Sequence, residues 1–373
     1  MPEETRPPLR FGISELAGSF GDFGTILPIS LALAATGALA IGPILLFLGI
    51  WFIVTGYYYR YPIPVEPMKA IAIIAVSAGM SGGEIAAAGL ILGVIFFLFG
   101  FTNILEFIEH YIPLPVVRGI QLGLALILLR NAVGYIRPDP GFFLLGAIII
   151  IAGFLVAYRF HIPDLSSIVV IIVALAAGIL IQGFPPITTL SFSLIAIPSA
   201  SDVIVALRDL ILPQAILTIT NAILATSLLA KDLFSADIRP KKLSRTIGLM
   251  NLTSIPFGGM PMCHGAGGMA GQYRFGARTG GANIYAGVIL VGAALLFAST
   301  AWLSLISPGF YAALLIFVAI ELGRHGLKTS SYVVTVATAV LSLLVSMTVA
   351  FIVGMCLAYG IPYVLQQIRQ KSG

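Results

Sequence analysis

Apolar stretches of about 20 residues, each long enough to cross a lipid bilayer, fill nearly the whole of this 373-residue chain. Hydrophobic residues make up 59% of the sequence and charged residues only 9%. The mean hydropathy is +1.05, whereas a soluble domain carries about 25% charged residues. The sequence therefore predicts an all-α protein that lies mostly within a membrane.

The few charged residues and cysteines exclude several classes of protein. A net charge of +5 could indicate nucleic-acid binding, but the basic residues occur singly or in short loops, where they set membrane orientation. Cys263 and Cys356 are the only cysteines, too few for a disulfide framework or a multi-thiolate metal site. No HExxH, GxSxG or equivalent pattern is present. We expect no nucleic-acid partner, no enzymatic activity, no cofactor and no metal.

The apolar stretches form about seven segments on each side of a polar connection at residues 183–207. In the first half they run near residues 11–35, 41–59, 67–79, 85–108, 112–130, 141–158 and 165–182. In the second half they run near residues 209–230, 244–256, 262–273, 281–298, 301–322, 330–346 and 348–366. Seven is odd, so a second half that resembles the first enters the membrane from the opposite face, as in an inverted repeat.

Lysines and arginines mostly follow the even-numbered segments, which sets the predicted orientation. The connection at residues 183–207 contains neither residue. The positive-inside rule then predicts that both termini are cytoplasmic and that this connection faces outward. We expect a multi-pass protein of the cell membrane, surrounded by membrane lipid.

Two segments are broken by proline and glycine. They read PIPVEPMKAIAIIAVSAG and PFGGMPMCHGAGGMAGQYRFG, and they match at Pro67-Met68 and Pro261-Met262. We expect each to reach the bilayer centre as an extended chain, where Pro67 or Pro261 starts a half-helix. Unpaired N–H groups and the positive end of the helix dipole make such a start an anion site. Two facing starts suit a tetrahedral dianion.

Polar side chains inside the membrane are the candidates for chemistry. Lys69 either contacts the anion or pairs with Glu66. Glu66 either takes up a proton during transport or stays in that ion pair. Asp22 lies in GDFGTILP, where glycine and proline allow local unwinding, and we expect it to be functional. Asn221 lies at a comparable depth in the second half and either hydrogen-bonds another helix or joins the site.

The second broken segment adds His264 and a row of glycines in MCHGAGGMAGQ. The glycines leave one helix face bare, which admits either a ligand or a closely packed helix. His264 either donates to the anion, switches by protonation, or makes a structural hydrogen bond. Too few neighbouring ligands accompany it for a metal site. Basic residues Arg274 and Arg278 are interpreted as membrane anchors, and His110, His161 and His325 as solvated loop residues.

Three motifs, GDFGTILPI, PVEPMKAIA and PMCHGAGGMAGQYRFGARTG, resemble signatures of the molybdate transporter family, relatives of the sulfate permeases. The resemblance spans almost the whole chain and implies the fold of sulfate permeases and uracil permease, with fourteen segments in two inverted seven-segment repeats. A STAS domain, which sulfate permeases usually carry, is not expected after Gly373. The implied repeats are residues 1–200 and 201–373, with core segments at about 11–108 and 209–298 and gate segments at about 112–182 and 301–366.

The resemblance also implies an anion site between the starts of segments three and ten, at Met68 and Met262, with help from segments one and eight. Candidates for carrying a coupled proton are Glu66, Asp22 and His264. The candidate substrate-binding residues are Asp22, Pro67, Met68, Lys69, Ala70, Asn221, Met262, Cys263, His264, Gly265, Ala266 and Gln272.

We therefore expect secondary active uptake of molybdate by an elevator-like motion of the core against the gate, with proton coupling as a hypothesis. Sulfate is the alternative substrate because the two dianions share charge and tetrahedral shape, and tungstate is a further candidate ligand. A passive anion channel is the second class, which the paired broken helices disfavour because they build one central site. Glycine- and phenylalanine-rich gate helices suggest a homodimer.

Overall fold

The computed structural model describes residues 7–190 and 197–372, including all side chains except those of Glu109 and residues 361–372. The chain ends predicted to be cytoplasmic, residues 1–6 and 373, lie outside the described residues. So does part of the connection predicted to face outward, residues 191–196.

Helices account for most of the described chain. Those of the first half are α1 (Ile13–Ser19), α2 (Phe23–Ala35), α3 (Ile41–Tyr59), α4 (Lys69–Ala78), α5 (Gly82–Phe99), α6 (Ile104–Tyr111), α7 (Leu114–Ile136), α8 (Pro140–Phe160) and α9 (Ser166–Gln182). Those of the second half are α10 (Ala200–Val205), α11 (Ile211–Leu217), α12 (Thr226–Phe234), α13 (Pro240–Ser254), α14 (Ala266–Arg274), α15 (Gly281–Leu296), α16 (Thr300–Leu303), α17 (Pro308–Gly326), α18 (Tyr332–Leu344) and α19 (Met347–Ser372). Two π-helical turns, Ala206–Leu210 and Thr218–Ala225, join α10, α11 and α12.

Seven helical stretches in the described chain are long and apolar enough to cross a membrane. They are Ile13–Ala35, Ile41–Tyr59, Gly82–Phe99, Leu114–Ile136, Pro140–Phe160, Ala200–Phe234 and Pro308–Gly326. Shorter apolar helices occupy Lys69–Ala78, Ser166–Gln182, Gly281–Leu296, Tyr332–Leu344 and Met347–Gly360. The chain is therefore a multi-pass membrane protein, and the count of fourteen crossings stays a prediction.

Some predicted segments are divided into separate helices in the structure. The segment at residues 85–108 separates into α5, which ends at Phe99, and the amphipathic helix α6. The segment at residues 301–322 separates into α16 and α17, because Pro308 occupies the first turn of a new helix. Hydropathy did not separate these pairs, because the intervening turns are short and carry no charged residue.

The two broken segments meet at a short β-ladder. Strand β1 (Glu66–Pro67) pairs antiparallel with β2 (Met262–Cys263), so that Glu66 lies opposite Cys263 and Pro67 opposite Met262. The two Pro-Met motifs therefore make contact. Helices α4 and α14 follow the strands and contain 10 and 9 residues. At about 1.5 Å per residue, each is about half as long as a hydrocarbon layer about 30 Å thick.

Both helices begin later than predicted. The first starts at Lys69 rather than Pro67, and the second at Ala266 rather than Pro261. The reason is the ladder, which holds residues 66–67 and 262–263 in extended conformation. Gly265 then continues the extended chain with φ −160° before α14 begins.

Buried asparagines satisfy the backbone of the extended chain, as a membrane interior requires. Asn251 donates to the Met262 carbonyl at 2.7 Å and accepts from the Met262 amide at 2.9 Å. Asn283 donates to the Ile63 carbonyl at 2.5 Å and to Thr55 Oγ1 at 3.1 Å. These side chains replace the hydrogen bonds that a continuous helix would supply.

The helices pack in two groups. In one group, α15 packs against α3 and α1, and α13 packs against α5. In the other, α7 packs against α17, α18 and α19, while α8 packs against α17 and α9. The groups meet where α14 contacts α17 and α7, where α2 contacts α17, and where the Thr218–Ala225 turn contacts α7. The short helix α14 therefore lies between them.

Replacing Asn251 tests the importance of the ladder. The Asn251→Ala variant leaves the Met262 amide and carbonyl buried without their partners, and each such group costs about 1–3 kcal/mol. We expect a marked fall in the thermal unfolding temperature of the detergent-purified protein. Asn103→Ala is the control, because Asn103 is exposed and accepts only a 3.5 Å hydrogen bond from Lys241. Equal unfolding temperatures for the two variants would contradict this role of Asn251.

Candidate functional site

The Glu66 carboxylate joins the two short helices. The Lys69 ammonium, at the start of α4, donates to Glu66 Oε2. The Gly268 amide, in the first turn of α14, donates to Glu66 Oε1 at 2.7 Å. Glu66 is fully buried, and the Lys69 side chain is 13% exposed. Of the two roles predicted for Lys69, the structure contains the ion pair.

A side chain that sequence reasoning missed caps the start of α4. Gln214 Oε1 accepts from the Ala70 amide at 3.0 Å and from the Ile71 amide at 3.3 Å. Gln214 is fully buried in α11 and donates to Thr218 Oγ1 at 3.0 Å. The amides of α4 expected to face an anion therefore already have a protein acceptor. The available signal was a glutamine within an apolar segment.

The start of α14 is arranged differently. Ala266 and Gly267 lie in its first turn, where N–H groups lack intrahelical acceptors, and the positive end of the helix dipole favours negative charge there. The next amide, that of Gly268, donates a hydrogen bond to the Glu66 carboxylate. Helix starts of this kind bind anions. The protein's own carboxylate thus lies where an anionic ligand would bind.

The side-chain-free face of α14 is packed against protein. A Cβ added at Gly265 would collide with the Glu66 carboxylate, and one at Gly268 with the carboxylates of both Asp22 and Glu66. A Cβ at Gly271 would collide with the backbone of the turn between α1 and α2. Of the two alternatives, close packing accounts for these glycines in the structure. The same contacts bring Asp22 and Glu66 close together.

Asp22 has an unusual environment. It is 1% exposed, and neither carboxylate oxygen has a hydrogen-bond partner among the described residues. An isolated buried carboxylate is costly unless it is protonated or gains a partner. Two carboxyl groups and one ammonium therefore lie beside the start of α14.

Asn221 and Gln272 each have a buried oxygen without a partner in the described chain. Asn221 lies in the π-helical turn Thr218–Ala225, and such turns are frequent at functional sites. The Gln272 amide donates to Asn283 Oδ1 at 2.9 Å, which leaves its own oxygen free. These atoms have hydrogen-bonding capacity that the protein itself does not use.

His264 is held by structural hydrogen bonds. Its Nε2 lies 2.7 Å from Thr246 Oγ1, and its Nδ1 lies 2.8 Å from the Pro64 carbonyl oxygen. Tyr59 also hydrogen-bonds Thr246, at 2.7 Å. Because both ring nitrogens have partners, the imidazole has no free donor for a ligand in this conformation.

The remaining candidates supply backbone and packing. Pro67, Met68, Met262 and Cys263 are buried at or beside the ladder, and the Cys263 thiol lies 3.9 Å from the Pro67 carbonyl oxygen. In residues 7–190 and 197–372, no three His, Cys, Asp or Glu side chains converge as metal ligands would.

One interpretation of the polar residues was wrong. His325 is not a solvated loop residue: it is 7% exposed in α17, and its Nδ1 lies 3.3 Å from Asp232 Oδ2. The physical reason is that α17 continues to Gly326, beyond the predicted end at residue 322. Its last turn is therefore packed against neighbouring helices.

Solved structures of anion transporters share this fold. The transmembrane domain of a cyanobacterium bicarbonate transporter, BicA, superposes with a TM-score of 0.62 at 17% identity, covering 92% of this chain and 98% of that one. Murine Solute Carrier 26 family member A9, an anion transporter in the inward-facing state, superposes with a TM-score of 0.63 at 15% identity, covering 97% of this chain and 69% of that one. The chain therefore shares the fold of these two proteins.

Sequence comparisons define the family. A profile described as "Molybdate transporter of MFS superfamily" matches residues 14–128 and 206–322. Molybdate transporter 2 of Arabidopsis thaliana is 32% identical over 88% of this chain and 82% of its own length. Molybdate transporter 1 of Chlamydomonas reinhardtii is 26% identical over 92% of this chain and 90% of its own. The chain belongs to the molybdate transporter family.

Two adjacent glycines test the contact between α14 and the carboxylates. Gly268→Ala inserts a methyl group against Asp22 and Glu66, whereas the Cβ of Gly267→Ala would lie 3.6 Å from Leu124, an ordinary contact. Both changes raise helix propensity, by about 1 kcal/mol. We expect Gly268→Ala to lower the thermal unfolding temperature and Gly267→Ala to leave it unchanged or higher. Similar unfolding temperatures would show that the carboxylates move aside freely.

Proposed function

We propose that this protein carries molybdate across the cell membrane by secondary active transport. The observation that supports this most directly is the Glu66 carboxylate at the start of α14, paired with Lys69. In this buried position, an ammonium and a helix amide bind the oxygens of a carboxylate. An oxyanion offers similar acceptor oxygens and negative charge, so the same donors suit it. Membership of the molybdate transporter family supports molybdate as the oxyanion.

The two short helices support a central site. We infer that α4 and α14 are half-helices whose starts meet near the middle of the bilayer, because the ladder between Glu66–Pro67 and Met262–Cys263 holds them together. Discontinuous helices in corresponding positions of two repeats are typical of transporter binding sites. Asn221 and Gln272, with unused oxygens, remain candidate ligands from neighbouring segments.

We infer proton coupling because Glu66 and the oxyanion would compete for the same donors at the start of α14. A charged Glu66 occupies the Gly268 amide and neutralises Lys69, so a dianion cannot use either group. Protonation of Glu66 lowers the negative charge at the site and releases these donors, whereas protonation of nearby Asp22 lowers the charge alone. Proton and oxyanion would therefore bind together. His264 supports coupling less well, because both of its ring nitrogens are engaged.

The two helix groups support an elevator-like movement. We infer that α1–α6 and the segments from α10 to α15 form the core, while α7–α9 and α16–α19 form the gate. Packing within each group is extensive, and α14 lies where the groups meet. The positive-inside rule places both termini in the cytoplasm, and a homodimer through the gate stays part of the proposal.

Binding measurements test the substrate. Isothermal calorimetry with the purified protein should show tight binding of molybdate and tungstate and negligible binding of sulfate. Lys69→Met should weaken molybdate binding about 10- to 100-fold, the effect of losing one hydrogen bond to a charged group. Lys231→Met is the control, because Lys231 is exposed at the end of the Ala200–Phe234 helix. A preference for sulfate would make sulfate the proposed substrate. Absence of binding for all three anions would contradict an oxyanion site.

Uptake into proteoliposomes tests proton coupling. Molybdate affinity should rise as pH falls, by up to about tenfold per pH unit if one proton binds with the anion. An inward proton gradient should also accelerate uptake. Glu66→Gln keeps an acceptor for the Gly268 amide but has no charge to titrate, and we expect a weaker pH dependence. Uptake by the unaltered protein that ignores an imposed pH gradient would rule out coupling.

A further inference from the structure

Outside the central site, buried charges connect the two helix groups at one face of the protein. We propose that the ion pairs Arg118–Asp232 and Arg274–Asp164 form an ionic latch that must open in every transport cycle. This inference rests on the proposed function, because it assumes that the core moves against the gate. The latch is defined by these four residues.

The first pair joins α7 to the end of α12. The Arg118 guanidinium lies 2.5 Å from Asp232 Oδ2, and the two side chains are 5% and 17% exposed. Arg118 also donates to Gln121 Oε1 at 3.0 Å, while Gln121 donates to the Ala225 carbonyl at 3.1 Å. Two residues of α7 thus bind the helix that contains Asn221. Surface ion pairs contribute little, but a pair this buried leaves an uncompensated charge when it breaks.

His325 adds a contact from a second gate helix. Its Nδ1 lies 3.3 Å from Asp232 Oδ2 and also 3.3 Å from the Lys328 ammonium, and its Nε2 lies 3.5 Å from Glu321 Oε1. Asp232 on the core therefore faces Arg118 from α7 and His325 from α17. One core carboxylate holds two gate helices.

The second pair joins the end of α14 to the turn before α9. Arg274 lies 3.1 Å from Asp164 Oδ2, and the side chains are 16% and 12% exposed. The Arg274 guanidinium also lies over the rings of Phe154 and Phe317, at 5.0 and 5.6 Å from their centroids. Both rings belong to gate helices, so the second pair holds α14 itself against the gate.

Both pairs lie at the same face. Helices α12 and α14 end there, and α7 and α9 begin there, which is the cytoplasmic face in the predicted orientation. Three other described ion pairs stay within one group: Arg208–Asp209 and Lys241–Glu106 in the core, and Arg324–Glu321 in the gate. The His325–Asp232 contact also joins the gate to the core. The core therefore cannot separate from the gate at this face without breaking both latch pairs.

Reversible cross-linking tests the latch. In a Cys356→Ser background, Arg118→Cys and Asp232→Cys are joined by a bifunctional methanethiosulfonate reagent long enough to replace the ion pair. Cys263 is buried. The matched control joins Lys241→Cys to Glu106→Cys, whose ion pair lies within the core at 4.0 Å. Intact mass measures the extent of cross-linking in each protein.

We expect the 118–232 cross-link to slow initial molybdate uptake into proteoliposomes by about tenfold or more, because a locked conformational step limits turnover. A thiol reductant should restore the rate, and the 106–241 cross-link should have little effect. Molybdate binding in calorimetry should survive in both cross-linked proteins. Joining Arg274→Cys to Asp164→Cys should reproduce the loss and provides a second test if the first variant does not fold.

The outcomes distinguish this inference from the proposed function. Undiminished uptake by fully cross-linked protein at either latch pair would overturn the latch, while transport itself would stand. Failure of the Cys356→Ser parent to bind or transport any of the three oxyanions would overturn the proposed function and the latch with it. Loss of transport in the 106–241 control would mean that cross-linking in general slows uptake, and it would also overturn the latch.

Discussion

The antiparallel contact between Glu66–Pro67 and Met262–Cys263 is the constraint on which the rest of the structure depends. Extended backbone in a membrane interior must find hydrogen-bond partners within the protein. Here the two broken segments supply partners for each other, and Asn251, Asn283 and His264 supply others. Because this pairing fixes where α4 and α14 begin, it also fixes the positions of Lys69 and of the first amides of α14.

Glu66 connects this scaffold with the proposed chemistry. In the ligand-free protein, the Lys69 ammonium and the Gly268 amide compensate the charge of the buried carboxylate. The same arrangement makes the group a competitor for any incoming anion. Under the proposed function, the same carboxylate would therefore balance the buried charge when no substrate is bound and make substrate binding depend on pH. Asp22, buried without a partner, places a second acidic group within reach of that competition.

Sequence analysis predicted the helical membrane fold because hydropathy and segment length suffice for it. It also paired Pro67-Met68 with Pro261-Met262, since two matching interruptions are rare in apolar segments. It did not predict the ladder, because two-residue strands have no periodicity to detect, and α14 therefore began five residues later than expected. Gln214 and His325 were missed for a related reason. The sequence shows a glutamine within an apolar segment and a histidine after one. Their partners lie on helices distant in the sequence, so only the packed structure identifies what these side chains contact.

The glutamine cap on α4 makes the starts of the two short helices unequal. The two repeats are arranged about a pseudo-twofold axis in the predicted fold, yet Gln214 occupies the first amides of one short helix only. In the proposed site, a ligand entering between the helices would meet amides of α4 that Gln214 already caps, and amides of α14 that become free once Glu66 is protonated. Such a ligand would lie closer to the second repeat than to the first, away from the pseudo-twofold axis, although the two repeats share one architecture.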